Sequence, residues 1–184
     1  MKQQLDDNQL IDLFLEGKIE AFNQLVDKYK RKIYLTAYRI LGNHEDANDI
    51  TQEVIIRIYN HLKDFRKESS IFTWIYRITT NLSLNELKKR KIKNLIDLDA
   101  LEEWLFKDEK SSPELSFREN ELSNRINAAL QKLPAKQRLV FSLRYYDELS
   151  YEEISKILGT SIGALKANYF HAVKKLAKEL KDEL

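Results

Sequence analysis

Residues 149–176 read LSYEEISKILGTSIGALKANYFHAVKKL, and several independent local rules converge on them. Ser150 stands before an apolar-periodic run with Glu153 three residues on. That is a capping box, in which the hydroxyl takes an orphan backbone N–H and the carboxylate reaches back to the cap. Leu149 and Ile154 flank it as a hydrophobic staple. Ile154, Ile157 and Leu158 recur on one face, and Gly159 follows where a left-handed residue ends a helix without steric cost. Ser161 can cap the next helix, whose inward face is predicted to carry Ile162, Leu165, Tyr169, Ala172 or Val173, Leu176 and Leu180. Gly163, Ala164, Lys166, Ala167, Asn168, Phe170, His171, Lys174 and Lys175 fall on its other faces, with no acid before Glu179. The stretch is predicted to be a helix-turn-helix.

Two short helices across a glycine-containing turn, the second basic and small at its start, fit a helix that enters a DNA major groove. Gly163 and Ala164 let the backbone come close, while Lys166, Asn168 and His171 offer donors to base edges or phosphates. The plainer alternative is a capped helix pair in an all-helical protein, its lysine-rich face simply solvated.

Outward from this motif the chain keeps the same punctuation. Asp7 or Asn8 can cap a first short helix carrying Leu10, Ile11, Leu13, Phe14 and Leu15, which Gly17 ends. Phe22, Leu25, Val26, Tyr29, Ile33, Ala37 and Ile40 mark the buried stripe of a longer helix closed by Gly42. Asn43 then caps a third, through about Leu62, with Ala47, Ile50, Val54, Ile58 and Leu62 inward. Its opposite face holds Asp46, Asn48, Asp49, Gln52 and Glu53 mixed with Ile55 and Ile56. Those acids either complement the positive end of the helix dipole or form a docking surface for a basic partner; the residues alone leave both open.

A polar connection, Phe65 to Ser70, leads into a helical pattern from Ile71 to about Lys91 with Ile71, Ile75, Ile78 and Leu82 along a seam. Phe65, Phe72, Trp74 and Tyr76 interleave there with Arg66, Lys67 and Arg77. Such a mixture can stack unpaired bases while holding the backbone, although at least half of these rings are expected in the core. Leu95 to Ser111 mixes acids with apolar residues and lacks caps, so it is predicted to be a linker, with a partner groove as a possible seat for its apolar side chains. Ser112 and Pro113 start a helix bearing Leu115, Leu122, Ile126, Leu130 and Leu133; Pro134 starts another with Leu139, Val140 and Leu143. No strand-like alternation interrupts this, and the expected fold class is all-α.

Composition narrows the function. The 184 residues are 43% hydrophobic, enough for one core or two small ones. The net charge is only +2, yet Lys88 to Lys93 holds five basic residues in six and Asp97 to Glu109 is acid-rich, so charge is segregated. There is no cysteine, which suits a reducing compartment. No apolar run is long enough for a signal peptide or membrane span, and a cytoplasmic protein is expected. The terminal Lys181, Asp182, Glu183 and Leu184 spell a retention signal that is read only on secretory proteins, and is taken as coincidence. His44, His61 and His171 each lack a second ligand at helical spacing, and there is no phosphate loop or nucleophile elbow. The sequence therefore predicts no enzyme, no metal, no cofactor and no small-molecule substrate.

With both halves in view, the chain resembles the extracytoplasmic-function sigma factors, the compact bacterial class that keeps only the second and fourth sigma domains. The resemblance rests on Asp46 to Val54, on Phe65 to Ser70 with Thr73 to Ile78, and on Leu133, Pro134, Arg138, Val140, Phe141, Leu143, Arg144 and Tyr145 followed by Leu149 to Leu176. It implies a region 2-like domain over residues 1–93, a linker over 94–112 and a region 4-like helix-turn-helix domain over 113–184. It further implies that Asp49, Gln52, Glu53 and Ile56 lie against the beta-prime clamp of core RNA polymerase, with the beta subunit a further partner. Phe65, Arg66, Lys67, Glu68 and Ser69, with Tyr76, Arg77 and Asn81, would capture the separated minus-ten strand, a flipped base in the loop being the expected specificity device. Lys166, Ala167, Asn168, Phe170 and His171 would read minus-thirty-five DNA, and the linker would thread toward the RNA channel. An anti-sigma factor is implied as a partner, able to hold the protein at the inner membrane. One departure is visible: many relatives carry Ser-Arg and an arginine-rich run where this chain has Ala167, Asn168, Tyr169, Phe170 and His171. The alternative to a sigma factor is a stand-alone helix-turn-helix regulator that never joins the polymerase; a nucleic-acid enzyme with an unrecognised site is a third reading with little support.

Overall fold

A computed structural model of the chain describes residues 5–96 and 125–181. Among the described residues the regular structure is helical: α1 (Asp7–Leu15), α2 (Ile19–Leu41), α3 (His44–His61) and α4 (Ile71–Ile96), then α5 over residues 125–131, α6 (Ala135–Tyr145), α7 (Tyr151–Leu158) and α8 (Ile162–Lys181). A 3-10 turn, Leu62–Asp64, follows α3. The start of the helix expected at Ser112 and Pro113, and nearly all of the expected linker, lie outside the described residues.

Helix ends are set by local chemistry. Ser150 and Glu153 form the capping box of α7, with Ser150 N–H donating to Glu153 Oε2 at 2.8 Å. These bonds hold the Glu153 carboxyl below its usual range. Gly159, at φ 63°, closes α7, Gly42, at φ 86°, closes α2, and the Asn43 carboxamide accepts from Asp46 N–H at 2.9 Å to open α3. The first cap differs from the sequence expectation. Asp6, not Asp7 or Asn8, caps α1 in a box with Gln9. Asp7 is drawn instead to α2, where Lys28 and the Tyr29 hydroxyl donate to its carboxylate at 2.6 and 2.7 Å. A tertiary pair thus outcompetes a local cap. α4 also runs past Lys91 to Ile96, into the segment expected to be linker.

Three cores follow. The predicted stripes of α1, α2 and α3 meet the seam of α4 in one cluster, with Leu25, Ile33, Ala37, Val54, Leu62 and Ile75 almost fully buried. Leu130 and Leu133 pack with Phe141, Ala172 and Leu176 in another; of the two candidates for the inward position on α8, Ala172 is buried and Val173 is exposed. A third cluster joins the halves. Ile40 of α2 and Tyr76 of α4 are packed among Leu139, Val140, Leu143, Leu149, Ile154, Ile157 and Leu165.

Candidate polymerase and nucleic-acid interfaces

α3 exposes one continuous face. Asp49, Gln52 and Ile56 are exposed and Glu53 half-buried, while Ala47, Ile50, Val54 and Ile58 from the same helix are in the core. The dipole accounts for Glu45 and Asp46 in the first turn, but its influence fades within that turn. Asp49, Gln52 and Glu53 lie beyond its reach, so the dipole explanation does not cover them. Ile56, 58% exposed beside them, adds an apolar patch. Glu53 is paired along the helix with Arg57 at 2.7 Å, a solvent-accessible pair that contributes little to stability.

The connection before α4 is held at both ends. The Phe65 ring lies 5.4 Å from Trp74, and Ser70 Oγ accepts from Thr73 N–H at 3.1 Å, capping α4. Between them Arg66, Lys67 and Glu68 are exposed and Ser69 is half-buried. Lys67 sits at φ 57°, a left-handed conformation that costs a side-chain-bearing residue on the order of 1–3 kcal/mol, and its ammonium meets Asp12 of α1 at 2.7 Å. Asn81, farther along α4, is exposed.

Tyr76 and Arg77 have a different setting. Tyr76 is 2% exposed and belongs to the core shared by the two halves. Its hydroxyl is held above the usual phenol range, first by burial and then by the Asp147 carboxylate. Arg77 donates to the backbone carbonyl of Lys156, in the last turn of α7, at 2.7 Å.

Around them lies a polar joint for which the sequence offered no signal. Arg39 of α2 meets Asp147, after α6, at 3.1 Å, the two side chains 15% and 12% exposed. The Arg39 guanidinium also covers the Tyr146 ring at 4.2 Å, and its backbone carbonyl accepts from Gln131 at 3.3 Å. The joint is incompletely satisfied. Burial raises the Asp147 carboxyl against the opposing pull of Arg39, Lys32 and the Thr36 hydroxyl, and Ser142 Oγ on α6 is buried without a hydrogen-bond partner. Such a group costs about 1–3 kcal/mol. Desolvation therefore offsets much of what the ion pair contributes.

On α8 the buried stripe is Leu165, Ala172 and Leu176. Lys166, Ala167, Phe170 and His171 are exposed, Phe170 at 63%. Lys166 stands 5.8 Å from the Tyr151 ring. Asn168 is half-buried, and its amide nitrogen donates to Ala164 O at 2.8 Å, leaving Oδ1 and the second amide N–H without a partner in this contact. Among the described residues no three His, Asp or Glu side chains converge as a metal site, and no helix is long and apolar enough to cross a membrane.

The described residues thus form a helical bundle with an exposed acidic and apolar face on α3, followed by a helix-turn-helix whose second helix has an open cationic side, the architecture of a helix-turn-helix protein. The family described as Sigma-70 region 2 matches residues 25–92, and Sigma-70, region 4 matches residues 123–176. The chain is 39% identical over 173 residues to the ECF RNA polymerase sigma factor SigW of Bacillus subtilis, covering 91% of this chain and 92% of that protein. It is 33% identical over 178 residues to the ECF RNA polymerase sigma-E factor of Escherichia coli K12, covering 94% and 93%. Its fold is similar to that of a sigma factor RpoE solved in complex with the anti-sigma factor NepR from Bartonella quintana, at a TM-score of 0.72 and 23% identity, covering 87% of this chain and 96% of that one. The chain belongs to the extracytoplasmic-function subfamily of bacterial RNA polymerase sigma factors. It binds core RNA polymerase, directs it to promoters and supports transcription initiation. The stand-alone regulator is not favoured, because region 2 is matched as well as region 4.

Proposed function

We propose that the α3 face of Asp49, Gln52, Glu53 and Ile56 docks on the beta-prime clamp. The loop of Phe65, Arg66, Lys67, Glu68 and Ser69, continued by Tyr76, Arg77 and Asn81, takes the minus-ten strand. Lys166, Ala167, Asn168, Phe170 and His171 read the minus-thirty-five element. These roles divide between a domain over residues 1–93 and one over 113–184. The observation that carries the reading is the open side of α8: cationic, aromatic and small side chains lie exposed on the helix whose opposite stripe fills the core. The chain works in the cytoplasm, forms no bond itself, and uses neither cofactor nor small-molecule substrate. An anti-sigma factor is its expected restraint, as in the RpoE complex whose fold it shares.

Asn168 supports reading with its carbonyl acceptor and its remaining amide N–H donor, the pair suited to a base edge. Charge reversal at the docking face tests the assembly. Glu53→Arg should retain wild-type helicity by circular dichroism and abolish co-purification with core polymerase. Undiminished co-purification would remove this face from the assembly.

A further inference from the structure

We infer that Asp12 of α1 is a positioning residue for strand capture: through its ion pair with Lys67 it holds the middle of the loop before α4 in one shape, so that Lys67 serves the strand by its backbone and not by its charge. That role presupposes the assignment of this loop to the minus-ten strand. The two ends of the loop are fixed by their neighbours. Phe65 packs on Trp74 and its N–H donates to Leu62 O at 3.2 Å, and Ser70 caps α4. The middle lacks such anchors: Arg66 and Glu68 are exposed and meet only each other, at 4.0 Å. Lys67, between them, is tied outside the loop. Its ammonium reaches Asp12, 55 positions away in the chain, at 2.7 Å, and its backbone is left-handed at φ 57°.

α1 gives this tie a firm base. Asp12 follows Ile11, which is buried in the first core, and the helix is pinned at its start by the Asp6–Gln9 box and by Asp7 on Lys28 and Tyr29. The pair itself is weak, because the Lys67 and Asp12 side chains are 43% and 57% exposed. It supplies less than a left-handed lysine costs, so the anchored ends carry most of that strain and Asp12 selects the turn of the central peptide. Asparagine tolerates this conformation, whereas a β-branched residue does not. The pair also cancels charge. Arg66, exposed and loosely paired, is the loop's cation for phosphate, while Lys67 is already neutralised. Were Lys67 instead a phosphate ligand, Asp12 would compete with DNA for its ammonium, and the two roles therefore predict opposite signs at Asp12.

The test uses holoenzyme assembled from the full-length chain and core polymerase, a fluorescent single strand bearing a minus-ten element from a promoter that the holoenzyme transcribes, and a strand of scrambled sequence. Asp12→Ala should weaken minus-ten binding about threefold, the scale of an exposed pair, with the scrambled strand and co-purification with polymerase unchanged. Lys67→Val should weaken it about tenfold through backbone strain. Lys67→Asn, which has no charge but accepts the conformation, should stay within about twofold of wild type. Asp12→Lys should behave as Asp12→Ala does, and adding Lys67→Asp, which reverses the pair at a residue that tolerates positive φ, should restore the affinity. Equal losses in Lys67→Val and Lys67→Asn, or tighter binding of both strands by Asp12→Ala, overturn the inference. Arg66→Ala combined with Glu68→Ala tests the loop assignment itself. Undiminished minus-ten binding there removes the loop from capture and the role of Asp12 with it, whereas lost binding there beside wild-type affinity in Asp12→Ala and Lys67→Val overturns Asp12 alone.

Discussion

Tyr76 on α4 and Phe170 on α8 are both aromatic rings set near cations on long helices, Tyr76 beside Arg77 and Phe170 beside His171 and four residues after Lys166. Tyr76 is 2% exposed and Phe170 63%. The resemblance to sigma factors assigns both to DNA, although at least half of the rings around Tyr76 are expected in the core, and the fold separates the two. The stripe of α8 is buried in its own half at Ala172 and Leu176 and in the shared core at Leu165, and the far side is left open. α4 is covered twice, by α2 and α3 on one side and by α7 on another, and the ring that falls on the second side becomes part of a joint. The ring on α4 is taken out of water by the second half, and the ring on α8 is not.

That contrast can be broken by truncation. Tyr76→Ala should cost the free protein about 3–5 kcal/mol in a chemical denaturation experiment, the range for removing a large buried aromatic. A loss below 1 kcal/mol would mean that the ring is not core in solution. Phe170→Ala sharpens the other side. Its folding stability should move by about 0.5 kcal/mol or less, while minus-thirty-five binding by electrophoretic mobility shift falls by about 1–3 kcal/mol. A stability loss as large as that of Tyr76→Ala would erase the distinction between the two rings. The smallest change concerns the frame of the reader: Ser150→Ala should lower the stability of the helix-turn-helix by about 1 kcal/mol through the lost cap. Amide exchange in α7 should report it, with α4 unaffected except where the halves touch.

The parts legible in the sequence are those decided within one helix turn. Ser150 with Glu153, Asn43, Gly42 and Gly159 all occur where the local rules place them, and the predicted stripes of α2 and α3 fill the first core. The cap of α1 slipped by one residue, to Asp6, because Asp7 has a better use 21 residues away at Lys28. The positive φ of Lys67 carries no mark, since lysine has no preference for it. Arg39 and Asp147 are separated by 108 positions. Each reads locally as an ordinary polar residue near a helix end, and only the packing of α2 on α6 gives either a role. For the same reason periodicity identified Tyr76 as a ring on α4 but not the side on which α7 would lie.

Arg90, near the end of α4, reaches Asp46 at the start of α3 while also facing Glu86 at 3.9 Å, and burial lowers its basicity. This clasp ties the start of α3, the helix proposed to meet polymerase, to the end of α4, the helix proposed to meet the melted strand. The faces proposed for polymerase and for the melted strand thus belong to one body, fastened at a point away from the seam with the second half.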